Sequence, residues 1–577
     1  MTKPSNNAPA DMLDCGEAVL AAFRALGVDY VMSSPGSEWG PVWEAFARQK
    51  MANAAGPTYL SCAHETLAVD LAIGYTAFTG RMQAVMLHTG VGLLQGAMGI
   101  DAAQRQGLPM LIVSGESASY GEREGFDPGH QWYATLSTRG GPASLVQPLT
   151  KWANRAASPE TLFQQLAGAG EIARRAPTGP TYLSIPIETM LAEWRPPAIA
   201  RDVPQAPKPV PAQADIEKVA ALLARAKNPA VVAESIGRDA EGYSALVVLA
   251  ELLAIPVVDA PWADYANFPK EHALYQGAGR PALLDEADVV LCVRTRAPFY
   301  PPGARPAKAV LVAIDEAPFR PHMDYQNVQA DIFLEGDAVA ALTMVAKAVR
   351  AERIDTLAVG ERRARLMAAH AKRSEELRAV EANAAPRRPI DPVALVASLN
   401  AVLPHDTIYV DETITHRGAI LKHLANHGPQ SYFRVMGGLG QGMGVALGVK
   451  LAAKTRPVLL AIGDGSFMYN PVVQSLALAK QEGLPILIVV FNNRGYAAMK
   501  KEQQAYYPDG VGVANDLFYG HTIAGLDYAE LAAPFGGYGR TVDDPAELPA
   551  ALEDALAAMQ DGRTAILNVL LGDTTGR

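Results

Sequence analysis

The stretch "GDGSFMYNPVVQSLALAKQEGLPILIVVFNN", residues 463–493, decides the fold. The residues just before it, "PVLLAI" (457–462), form a short apolar run with the length and character of a buried strand. "GDGS" breaks that run with turn residues. "PVVQSLALAKQE" (471–482) reads as a helix that tolerates Pro471 at its start and stops at Gly483. "LPILIVVF" (484–491) is a second buried strand, closed by Asn492-Asn493-Arg494-Gly495. A strand–helix–strand unit of this kind builds a parallel sheet. Asp464 and Asn493 then both stand at carboxyl ends of parallel strands, where open α/β sheets bind ligands. A carboxylate, an amide oxygen and freed loop carbonyls make a hard-oxygen set suited to magnesium. Magnesium held by so few protein groups commonly carries phosphates as well. The stretch therefore predicts a magnesium–diphosphate site.

The bulk properties bound the rest. A chain of 577 residues is too long for one core and suggests three or four domains. The net charge of −10, without a basic run, argues against nucleic acid as a partner. Cys15, Cys62 and Cys292 show neither metal spacing nor a disulfide framework, which fits a reducing cytoplasm. The start, "MTKPSNNAPADM", lacks the apolar core of a signal peptide, and the apolar runs are too short to span a bilayer. No membrane association is expected.

Two segments divide the chain. "RPPAIARDVPQAPKPVPAQ" (195–213) is proline-rich and extended in character. The segment 350–389 is charged and helix-prone, and ends in prolines. The parts between them, 10–194, 214–349 and 390–577, each alternate apolar strands with helical stretches. Examples are "AVMLHTG", "MLIVSGE" and "PTYLSIP" in the first, "PAVVAES" and "AVLVAID" in the second, "TIYVDE" and "AILNVLL" in the third. The expected fold is α/β, with three doubly wound parallel-sheet domains.

The spacing GDG, 26 residues, then NN, in this strand context, resembles the signature of thiamine diphosphate (ThDP) enzymes. The three-part organisation resembles the ThDP-dependent 2-oxo acid decarboxylase and acetolactate synthase superfamily over nearly the whole chain. Local matches are greatest with benzoylformate decarboxylases. That resemblance implies a pyrimidine-binding domain (10–194), a central domain (214–349) and a diphosphate-binding domain (390–577). It also implies the cofactors ThDP and Mg2+, with Asp464, Asn493 and the carbonyl of Gly495 on the metal.

ThDP chemistry needs a buried glutamate against the aminopyrimidine ring to activate the thiazolium carbon. "YLSCAHETLAVDLAIGYTAFTG" (59–80) is similar to the family's stretch for that residue, and puts Glu65 in the catalytic position. An isolated glutamate at a helix N-terminus would otherwise be read as dipole complementarity. "SYFRVMGGLGQGMGVALGVKLA" (431–452) is a strand, a glycine loop and a helix, and fits no G-x-G-x-x-G register. By resemblance, the carbonyl of Gly437 receives the pyrimidine amino group and Leu439 wedges beneath the cofactor. "SSPGSE" (33–38) offers Ser37 to the substrate carboxylate, and "MLHTGVG" (86–92) offers His88 for proton transfer. The family's second histidine has no match in "RAPFYPPGARP" (296–306); His130 and Gln131, or His521, are the candidates to substitute for it. In "YVDETITH" (409–416), Thr413 and Thr415 could hold the diphosphate, as could Gly465 and Ser466 at a helix start.

The resemblance implies non-oxidative decarboxylation of a small 2-oxo acid, with carboligation as a possible second outcome. The alternatives are an acetolactate synthase-like carboligase and a non-catalytic ThDP-binding subunit. It further implies a homodimer or homotetramer with active sites at subunit interfaces. Side-chain pockets are built from scattered residues, so the 2-oxo acid is not named by the sequence.

Overall fold

The computed structural model describes residues 13–118, 127–196, 203–301, 304–320, 323, 330–425, 427–523 and 525–572. It divides into two compact units, Met1–Pro207 with Met436–Gly438, and Lys208–Val435 with Leu439–Arg577. Three six-stranded sheets carry the fold, and all the pairings within them are parallel.

The first sheet runs across Thr58–Ser61, Tyr30–Ser33, Gln83–Leu87, Met110–Glu116, Pro180–Pro186 and Trp152–Arg155 in that spatial order. The third repeats the same connectivity with Tyr432–Arg434, Ile408–Glu412, Val458–Gly463, Leu487–Asn492, Ala565–Leu570 and Tyr538–Val542. The central sheet differs. It places Tyr275–Ala278, Val257–Asp259, Pro229–Ala233, Val289–Val293, Val310–Asp315 and Ile332–Glu335 in the order of a dinucleotide-binding sheet. The inner strands are apolar on both faces because helices cover both sides: Gln83–Leu87, Val289–Val293 and Leu487–Asn492 are buried at every position. Three doubly wound parallel-sheet domains are therefore present, as expected.

The charged segment after the central sheet is a 29-residue helix, Thr356–Ala384. The Asp355 side chain caps it by accepting from the amides of Leu357 and Ala358. Its Arg362 is buried and donates to the carbonyls of Leu253, Ala254 and Lys227, which ties the helix to the central sheet's layer. The acidic turn also differs from expectation. Asp464 opens a helix, Asp464–Tyr469, directly off the strand Val458–Gly463, and a second helix, Val472–Glu482, follows Pro471. Gly463 supplies the extended N-cap backbone and Pro471 separates the two helices. Among the described residues no helix is long and apolar enough to cross a membrane.

Candidate functional site

In the N-terminal unit, the ends of three strands, Tyr30–Ser33, Thr58–Ser61 and Gln83–Leu87, lead into one polar group. Glu65 is the first residue of the helix Glu65–Thr79, whose N-cap is His64 and whose C-cap is Gly80 at φ +69°. His88 stands between the strand Gln83–Leu87 and the helix Thr89–Gln106. These two helices pack closely because glycines of the second face the first. A Cβ on Gly92 would lie 2.8 Å from Glu65 Oε1 and 3.3 Å from the Cβ of His88. The sequence-predicted Glu65 and His88 are thus neighbours.

Sequence reasoning missed their partner. Glu38, in the short 3-10 turn Ser37–Trp39, is fully buried. His88 Nδ1 lies 3.0 and 2.9 Å from its two carboxylate oxygens, and the Thr89 amide donates to Oε1 at 3.0 Å. Gly36 and Gly115 leave the room that the Glu38 side chain fills, since a Cβ on either would collide with it. The Glu38 hydrogen bond raises the His88 pKa, against the opposing effect of burial, and the charges of Glu38 and Glu65 add to the rise. Ser37, adjacent to Glu38, is exposed. The signal for Glu38 was present in "PGSE", but its partner lies 50 residues away in sequence.

In the C-terminal sheet the two halves of the opening stretch meet. Asp464 Oδ2 accepts from the Gly495 amide at 3.0 Å, and Oδ1 accepts from the Gly465 amide at 2.9 Å. Asn493 Oδ1 shares the Gly495 amide at 3.3 Å. Burial pushes the Asp464 carboxyl up to about 6, against the backbone amides that it accepts from. The two asparagines have different work. Asn492 donates to Asn568 Oδ1 at 2.9 Å in the neighbouring strand and accepts from the Arg494 amide at 3.0 Å, whereas Asn493 is half-buried at the loop. Among the described residues no group of three or more His, Cys, Asp or Glu side chains is suited to a metal. One carboxylate, one amide oxygen and one backbone carbonyl would not form such a group, and they fit magnesium as a hard-oxygen set.

Ser466 is buried in the first turn of the helix Asp464–Tyr469, next to Gly465, whose missing Cβ lets the Tyr496 ring approach. Thr413 is buried, and its hydroxyl donates to Asp411 Oδ1 at 2.7 Å, so its proton is already committed within the chain. Tyr432 donates to the other Asp411 oxygen at 2.7 Å. Thr415, two residues on, is half-buried. Gly437 and Gly440 bend the glycine loop at φ +111° and +109°, values that side chains rarely adopt, and Leu439 is half-buried between them.

The candidates for a second histidine separate. His130 and Gln131 are exposed. His521 packs on the Asn493–Gly495 loop: a Cβ on Gly495 would lie 2.8 Å from its Cε1, and its carbonyl accepts from the Tyr496 amide at 2.8 Å. In the central domain Arg296 Nε donates to Glu234 Oε1 at 2.6 Å, and its guanidinium also pairs with Asp264.

Comparison with known proteins gives the family. The N-terminal TPP binding domain of thiamine pyrophosphate enzymes matches residues 13–135, the central domain 216–345 and the C-terminal TPP binding domain 415–569. The benzoylformate decarboxylase of Pseudomonas aeruginosa is 28% identical over 93% of this chain and 95% of its own. The acetolactate synthase large subunit IlvG of Mycobacterium tuberculosis is 26% identical over 98% of this chain and 97% of its own. The crystal structure of benzoylformate decarboxylase from Polynucleobacter necessarius shares the fold, with a TM-score of 0.77 and 21% identity over 97% of this chain and 99% of that one. With all three domain models matched in order, and more than half of the chain within them, the protein belongs to the thiamine pyrophosphate enzymes.

Proposed function

We propose that the protein is a ThDP- and Mg2+-dependent lyase that removes CO2 from a small 2-oxo acid and releases an aldehyde. The observation that supports this most is His88 held by the buried Glu38 beside Glu65. An enzyme that ends in an aldehyde must deliver a proton to carbon, and a histidine whose proton is secured by a carboxylate suits that task. Bound ThDP would supply a nucleophilic carbon and a positively charged ring that takes up the electron pair of the broken carbon–carbon bond.

The chain's own residues do the rest. Glu65 would hydrogen-bond the aminopyrimidine ring and tune it so that the cofactor's own nitrogen serves as the activating base. Ser37 receives the substrate carboxylate through a hydroxyl, which avoids the ground-state stabilisation a cation would give. Asp464, Asn493 and the carbonyl of Gly495 hold Mg2+. Thr415, Gly465 and Ser466, the last through its hydroxyl and helix-N-terminal amide, would bind the diphosphate, and Thr413 orders the strand end through Asp411. The carbonyl of Gly437 would receive the pyrimidine amino group, and the side chain of Leu439 would wedge beneath the cofactor.

The protein assembles as a homodimer or homotetramer in the cytoplasm, with active sites completed at subunit interfaces. Exposed apolar side chains support a partner: Val91 and Leu94 in the N-terminal unit, and Met468, Tyr469 and Val473 in the other.

A second reading, carboligation of the acetolactate synthase kind, draws on the M. tuberculosis relative. A third, a non-catalytic ThDP-binding subunit, is opposed by the retention of Glu65. Purified protein with ThDP and Mg2+ against a panel of 2-oxo acids separates the three. CO2 with aldehyde supports decarboxylation, CO2 with a 2-hydroxy ketone supports carboligation, and ThDP binding without CO2 from any acid supports the subunit reading.

A further inference from the structure

Glu412 ends the strand Ile408–Glu412 and is buried. Its Oε1 accepts from the amides of Gly440 and Gln441 at 2.7 and 2.9 Å. Its Oε2 accepts from the Gly442 amide at 3.0 Å and from Asn470 Nδ2 at 2.9 Å. Asn470 extends the connection: Nδ2 also donates to the Ser466 carbonyl at 2.8 Å, and Oδ1 accepts from the Met443 amide at 2.9 Å. Two glycines make the arrangement possible. A Cβ on Gly440 would lie 2.6 Å from the Tyr469 carbonyl, and one on Gly442 would lie 2.6 Å from Glu412 Oε2.

The helix Gly442–Ala452 opens on a glycine loop at a strand end, the place where a phosphate commonly meets free backbone amides. Here the chain's own carboxylate and the Asn470 amide take those donors. Asn470 holds the neighbouring Asp464–Tyr469 helix in register with the glycine loop.

We infer that Glu412 is the positioning residue of the diphosphate half: an internal anion that occupies the Gly440–Gly442 amides and, through Asn470, locks the glycine loop to the Asp464–Tyr469 helix. The inference rests on the ThDP reading above. A glutamine at this position fills the same volume but turns an NH2 group toward N–H donors, so it separates an anionic role from space-filling.

The test uses full-length apo-protein, titrated with ThDP in excess Mg2+ by calorimetry, and amide hydrogen exchange over residues 440–443 and 464–470. Glu412→Gln is expected to raise the ThDP Kd by about tenfold or more and to release protection at 440–443, as loss of a supporting contact does at metal sites. Glu412→Ala is expected to do the same, with acetate restoring part of both. Glu412→Gln with a Kd within about twofold of wild type, a difference of well under 1 kcal/mol, and with protection intact would overturn the inference. If neither Glu412 variant folds, Asn470→Ala decides: weakened ThDP binding supports the lock, and unchanged binding refutes it. Wild-type protein that binds no ThDP would fail the cofactor reading instead, while the exchange data still report on the lock.

Discussion

His88 Nδ1 lies 2.9 Å from Oε2 of Glu38, a carboxylate with no exposed surface. The bond raises the His88 pKa, so the ring keeps its proton to higher pH than a free histidine. The stabilisation it brings is complete below the unfolded value and is lost as pH rises through the raised folded value. Glu38→Gln removes the carboxylate and leaves burial, which acts in the opposite direction. The alkaline limb of kcat/KM is expected to move to lower pH, with a stability loss of about 1.5–3 kcal/mol for a hydrogen bond to a charged group. A pH–rate profile with its alkaline limb unmoved would contradict the pairing.

His88→Ala is expected to lower aldehyde release by about 10²-fold or more, the scale of a positioned acid–base group. Ser37→Ala should act mainly on the handling of the 2-oxo acid, seen as a raised KM. If aldehyde release by His88→Ala equals that of the wild type, the carboligation reading moves ahead.

Glu65→Gln is expected to reduce turnover by about 10²–10⁴-fold with the fold intact. Gly92→Ala should approach the same phenotype without touching the carboxylate's chemistry, because its Cβ would lie 2.8 Å from Glu65 Oε1. The measurement is exchange of the C2 proton on bound ThDP by NMR. Exchange at the wild-type rate in Glu65→Gln would remove Glu65 from cofactor activation.

Asp464→Ala is expected to weaken ThDP binding by about 10²-fold and to abolish its dependence on Mg2+, because the diphosphate charge is then uncompensated. Calorimetry with and without EDTA reads both effects. Tight, EDTA-resistant binding by the variant would refute the metal assignment.

Sedimentation at assay concentration should give a species at least dimeric. Leu94→Glu places a charge on the exposed apolar face of the helix Thr89–Gln106 and is expected to shift the protein toward monomer and to cut activity in parallel. An active wild-type monomer would end the interface proposal.

The sequence by itself determined the layered α/β architecture. Strands such as Val289–Val293 and Leu487–Asn492 are buried at every position, so their apolar runs stand out without context. It also marked Asp464 and Asn493, because strand ends and turn residues are local features, whereas Glu65 and His88 were marked by the resemblance to ThDP enzymes. Edge strands were less legible: Trp152–Arg155, Ile332–Glu335 and Tyr538–Val542 are only partly buried, which dilutes the pattern. Tertiary structure alone decided three things. Asp464 begins a helix rather than a turn, because Gly463, the last residue of its strand, is itself the extended N-cap. Glu38 belongs to His88, 50 residues away. Glu412 belongs to amides 28–30 residues on and to Asn470, 58 residues on. The reason is common to the last two: a buried carboxylate must find its donors wherever folding brings them, and local sequence does not encode that distance.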